Sequence, residues 1–177
     1  MSAATTTFAT PPRTLDYDTF MNRFSGVYEH SPWIAQALWQ RGLDDRHDTV
    51  EGLADALAEI LAEASDAEKL RLLRAHPELA GKAAVRNELT AESTGEQAGA
   101  GLDQCTREEF ERFLTLNEEY NARFGFPFIM AVKGYHRTEI LQAFEERVRN
   151  DPETEFRTAL AQVNRIARLR LHALADL

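Results

Sequence analysis

Apolar residues recur at three- and four-residue spacings along most of the chain, and no stretch sustains the alternation of a half-buried strand. The pattern predicts a first helix over about 15–27. Ser31-Pro32 then offers an N-cap and a proline at the first helical position, opening a helix that runs to Arg41 and stops at Gly42. Val50, Leu53, Leu57, Ile60 and Leu61 share one face of a segment over 48–64. Ser65 and Glu68 have capping-box spacing ahead of a helix to Ala75, and Thr106 and Glu109 repeat it ahead of a helix that ends near Gly125. Helices over 137–149 and from Asp151-Pro152 to near the chain end complete the set. The expectation is an all-α, single-domain helical bundle of roughly seven to nine helices over residues 15–177. Residues 1–14, rich in Thr, Ala and Pro, read as a disordered lead-in.

Several polar side chains break the apolar stripes. On the last helix, Phe156, Leu160, Val163, Ala167 and Leu174 define a stripe with Arg170 at its centre. A guanidinium cannot shed its charge on burial, so Arg170 is a ligand group, a buried Arg–Glu partner, or a side chain that snorkels outward. Phe110, Phe113, Tyr120 and Phe124 form the stripe of 106–125, with Asn117 and Asn121 on or beside it. Buried amides need partners, and bracing a neighbouring loop is the role preferred for them. His76 precedes Pro77, which pushes it out of the α region to a helix C-terminus, where the backbone dipole favours imidazolium. Taken alone, such a corner is more often structural than catalytic. Within 89–102, helical spacing puts Ser93, Glu96 and Gln97 on one face before a small-residue run. That face suits a small polar heterocycle, or is simply solvated. The apolar run 126–132 either lines the core or offers backbone groups to a planar ligand.

Composition narrows the chemistry. The 177 residues carry 20 basic and 29 acidic side chains, a net charge of −9 that argues against nucleic acid as a partner. The longest apolar stretch is far too short to span a bilayer, and no secretory leader pattern opens the chain. The single cysteine, Cys105, excludes an intrachain disulfide and is more readily a passive small residue than a nucleophile. His30, His47, His136 and His172 show no ligand spacing, so no metal is expected. No Gly-rich phosphate loop is present for a nucleotide cofactor.

Four segments together, RAHPELAG (74–81), LTAESTGEQAGAGL (89–102), LNEEYNARFGFPFIMAV (116–132) and VNRIARLRL (163–171), resemble the 2-oxo-4-hydroxy-4-carboxy-5-ureidoimidazoline (OHCU) decarboxylase family. FMNRFSGVYEHSPWIAQALW (20–39) is similar to the family's opening, so the resemblance covers roughly 15–175 in order. It implies decarboxylation of a ureidoimidazoline to (S)-allantoin in urate degradation, by a helical homodimer without metal or organic cofactor. By position it implies His76 as catalytic histidine with Glu96 beside it. Pro77, Ser93, Gln97, the stretch Phe128, Ile129, Met130, Ala131 and Val132, and Arg170 are implied as substrate-binding residues. The ending Ala-Leu-Ala-Asp-Leu differs from the peroxisomal Ser-Lys-Leu type, so a cytoplasmic protein is expected, with functional coupling to urate oxidase and hydroxyisourate hydrolase. Two other classes compete: a non-catalytic helical interaction module using the acidic 44–68 face, and a hydrolase of a related ureide. The latter lacks a visible metal set or nucleophile–base pair.

Overall fold

The computed structural model describes residues 5–80 and 89–176. Among them are eight α-helices and no strand: α1 (Tyr17–Phe24), α2 (Trp33–Arg41), α3 (Val50–Glu63), α4 (Asp66–Ala75), α5 (Ala91–Gly99), α6 (Arg107–Phe124), α7 (Arg137–Arg147) and α8 (Pro152–Ala175). The helical region divides into two compact units, one formed by residues 1–75 with 164–177 and the other by 76–163, so α8 contributes to both. No described helix is long and apolar enough to cross a membrane.

In the first unit, local capping sets the helix starts. The Asp16 carboxylate accepts from the Thr19 N–H at 2.8 Å to open α1, and the Thr49 hydroxyl accepts from the Gly52 N–H at 3.0 Å to open α3. The α2 helix begins at Trp33, one residue later than Ser31-Pro32 suggests, and no side chain caps it. Phe20, Phe24, Ile34, Leu53, Leu57 and Leu61 form the core of the unit, each burial worth roughly 1.5–3 kcal/mol. Residues 5–14 depart from the expected disordered lead-in. Phe8 is buried and meets Phe24 edge-on at 5.4 Å, and that single anchor outweighs the polar composition around it. Phe8 N–H donates to Asp48 O, Val50 N–H donates to Thr6 O, and Arg13 pairs with Asp48 at 3.0 Å. Residues 1–4 lie outside the described region.

Gly52 sits where the turn before α3 presses on the helix. A Cβ there would fall 1.9 Å from the Arg46 carbonyl oxygen, and backbone cannot move aside as a flexible side chain can. Gly52→Ala is expected to destabilise the protein by about 1–3 kcal/mol, read as a lowered Tm in thermal unfolding. An unchanged Tm would show that this turn yields freely.

The second unit is built around Tyr120 of α6, whose ring lies between 4.5 and 5.9 Å from those of Phe124, Phe126, Phe128 and Phe144. Thr106 and Glu109 form the expected reciprocal capping box at the start of α6, and Gly125 ends it in the left-handed conformation at φ 76°. The buried line of α8 runs through Glu155, Ala159, Val163, Ile166, Ala167, Arg170 and Leu171. Phe156, Leu160 and Leu174, expected on that stripe, are only half-buried, so the buried face is rotated from the predicted one.

Candidate functional site

The His-Pro corner forms as its sequence requires. Helix α4 ends at Ala75, His76 and Pro77 follow outside the helix, and both are half-buried. The chain then turns through Leu79 and Ala80, with Ala80 at φ 49°, a left-handed conformation that costs a non-glycine residue energy unless its surroundings hold it. Here they do. The Ala80 N–H donates to Gln97 Oε1 at 3.1 Å, while Gln97 Nε2 reaches the Glu78 carbonyl at 3.4 Å. Asn117 Nδ2 donates to the Leu79 carbonyl at 3.1 Å, and Asn121 Nδ2 donates to the Glu78 carboxylate at 2.7 Å. The two asparagines of α6 therefore brace this loop, the role their sequence position suggested. Gly81, the last residue of the RAHPELAG segment, lies outside the described region.

Helix α5 opens with the Thr90 hydroxyl accepting from the Ser93 N–H at 3.2 Å. Ser93 and Gln97 are buried and Glu96 is half-buried, so the predicted face of the helix does turn inward. Gln97 is the residue that joins this face to the 78–80 turn. Its amide is already committed to backbone, which adds a positioning duty to the substrate contact expected of it.

Residues 127–132 have no regular secondary structure, yet Phe128, Ile129, Ala131 and Val132 are buried and Met130 is half-buried. Buried backbone outside helix or sheet needs side-chain partners. The Ile129 carbonyl accepts from Arg147 Nη1 at 2.6 Å, and the Ala131 N–H donates to Gln162 Oε1 at 2.9 Å. Arg147 also pairs with Glu155 through Nε and Nη2 and lies 4.5 Å from the centre of the Phe128 ring. Fully buried Glu155 accepts in addition from Asn150 and the Tyr120 hydroxyl. Burial first, and then the bond to Glu155, push the Tyr120 phenol above its ordinary range, so it remains a donor. Arg147, Glu155 and Gln162 were not singled out in the sequence. The one available signal was that Glu155 lies four residues before Ala159 on the line to Val163.

Arg170 belongs to the first unit and is buried, which rules against the outward-snorkelling alternative. Its Nη2 lies 3.9 Å from Oε2 of buried Glu29, and Nη1 lies 3.5 Å from the carbonyls of Gly26 and Val27. The Arg–Glu pairing left open in the sequence is thus present. Its separation exceeds the ~2.7–2.9 Å of a close charge-assisted hydrogen bond.

A cavity of about 570 Å³ adjoins α5, lined among the described residues by Ala80, Thr94, Gln97, Leu102, Cys105 and Phe110 with others. Of the polar face of α5, Gln97 lines it, whereas Ser93 and Glu96 do not, nor does His76. Burial pushes the Cys105 thiol up, with Glu109 adding to the shift, which disfavours the thiolate and supports the passive reading of this residue. Among the described residues no three His, Cys, Asp or Glu side chains gather to hold a metal ion.

These features define an all-helical chain whose second unit carries a His-Pro turn braced by the polar faces of two helices. The chain belongs to the OHCU decarboxylase family, which matches residues 13–172. It is 46% identical over 158 residues to a 2-oxo-4-hydroxy-4-carboxy-5-ureidoimidazoline decarboxylase of Haloferax volcanii, covering 89% of each chain. It is 40% identical over 161 residues to a uric acid degradation bifunctional protein of Bacillus subtilis, covering 89% of this chain and 30% of that one. Among solved structures it resembles an (S)-allantoin synthase, with a TM-score of 0.73 and 33% identity, over 93% of this chain and 53% of that one.

Proposed function

We propose that this chain decarboxylates 2-oxo-4-hydroxy-4-carboxy-5-ureidoimidazoline to (S)-allantoin in urate degradation, with His76 as general acid/base and no cofactor. The observation that carries this reading is the braced turn after His76-Pro77, held in a strained conformation by Gln97 of the Ser93–Glu96–Gln97 face. In this substrate the carboxylate sits on a carbon next to a ring C=N. When that C–C bond breaks, its electron pair enters the imine, whose nitrogen takes up a proton from solvent, and CO2 leaves. The hydroxyl proton of the resulting enol departs as a carbonyl forms, and the ureido-bearing carbon takes a proton on one face. The substrate is its own electron sink, which leaves the protein to position the ring and to control protons.

His76 takes the hydroxyl proton or delivers the carbon-bound one, and Glu96 stabilises its imidazolium form. Ser93 and the Phe128–Val132 backbone hold the ring, Pro77 shapes its wall, and Gln97 and Arg170 bind carbonyl or ureido oxygens. The protein works as a cytoplasmic homodimer, coupled to urate oxidase and hydroxyisourate hydrolase. The fusion implied by the name and length of the Bacillus subtilis relative supports the coupling. An interaction module on the acidic 44–68 face is disfavoured because it leaves unexplained why Gln97, Asn117 and Asn121 converge on the turn after His76-Pro77.

Ultraviolet absorbance of freshly generated substrate, with protein and excess chelator, tests the reading. Decay accelerated in proportion to protein and insensitive to chelator is expected. Acceleration that the chelator abolishes would redirect the assignment to metal-assisted hydrolysis.

A further inference from the structure

We infer that Gln162 and Arg147 are positioning residues for the substrate ring, acting through the backbone of residues 128–132; the inference rests on the decarboxylase reading and on that stretch holding the ring. The stretch has no helical or sheet ladder of its own. Its shape is set where side chains seize it, at the Ile129 carbonyl by Arg147 and at the Ala131 N–H by Gln162. The two anchors flank Met130 on either side. Met130 is also the one residue of 126–132 that is not buried.

The anchors are themselves immobilised. Arg147 is fixed by the buried Glu155 carboxylate and stacks over the Phe128 ring. Gln162 sits on α8 one residue before buried Val163. A ring held by such a stretch is held alike before and during reaction, so loosening the stretch weakens binding more than it slows chemistry.

Gln162 provides the cleaner test because it is uncharged and half-buried. Gln162→Met keeps the side chain's length and removes the acceptor, whereas Gln162→Glu keeps an acceptor for the Ala131 N–H. The expected result for Gln162→Met is a KM raised about tenfold with kcat within about twofold, the loss of roughly one hydrogen bond. Gln162→Glu is expected to stay within about threefold of the parent KM. Hydrogen exchange at the Ala131 amide gives a readout independent of turnover, faster in the Met variant and restored in the Glu variant. An unchanged KM in Gln162→Met, or a Glu variant no better than the Met variant, overturns the inference while the decarboxylase reading stands. A parent protein with no turnover of the substrate overturns both.

Discussion

Replacing His76 with alanine is expected to lower kcat/KM by about 10²–10⁴-fold, the range a positioned general acid/base contributes, toward the spontaneous decay of the substrate. The fold is expected to survive. His76 is half-buried outside any helix, and the turn after it is fixed by bonds to the backbone of Leu79 and Ala80 and to the Glu78 carboxylate. Far-ultraviolet circular dichroism of the variant should match that of the parent, and steady-state kinetics give the activity. Near-normal turnover in a folded variant would remove His76 from the chemistry and leave the His-Pro corner as a structural hinge.

The second large effect concerns stability. Glu155→Ala is expected to destabilise the protein by about 3–5 kcal/mol, because it strands the Arg147 guanidinium in the interior without its carboxylate. At the sensitivity of a chain of this size, the loss corresponds to a Tm lower by roughly 10 °C. Tyr120 and Asn150 lose their acceptor in the same step, so buried polar groups are left unpaired around the charge. Tyr120→Phe is the control. It removes one neutral donor and keeps the ion pair, so its cost is expected to be about 1.5–3 kcal/mol, the range for a hydrogen bond to a charged group. Denaturant melts of the two variants side by side check the order. If Glu155→Ala costs no more than Tyr120→Phe, the ion pair does not hold this part of the unit together.

What could be read from the sequence follows the range of the interactions concerned. Helix starts at Ser65 and Thr106 depend on bonds spanning three residues, and local spacing carries that information whole. That Ser93, Glu96 and Gln97 share one face follows from helical period alone, as does the place of Arg170 on an apolar stripe; that the first face turns inward does not. Glu29, the partner of Arg170, lies far away in sequence in a connecting segment, where no periodicity points to it. Glu155 was hidden for a different reason. An acidic residue in the first turn of a helix is accounted for by the helix dipole, and only Arg147 on another helix reveals that it is buried. The 126–132 run was legible as apolar and buried. Its dependence on Arg147 and Gln162 was not, because backbone hydrogen-bond debts leave no trace in side-chain pattern. The lead-in shows how one residue can outweigh composition, since Phe8 pins a polar stretch that would otherwise remain solvated.

The central claim is that this chain makes one enantiomer of allantoin from a substrate that otherwise decays to a racemate. Circular dichroism of allantoin formed from urate by urate oxidase and hydroxyisourate hydrolase, with and without the protein, tests it directly. Rapid growth of the (S) signal in the presence of the protein, absent without it, is the predicted result. Optically silent allantoin forming at the spontaneous rate in the presence of folded protein would contradict it.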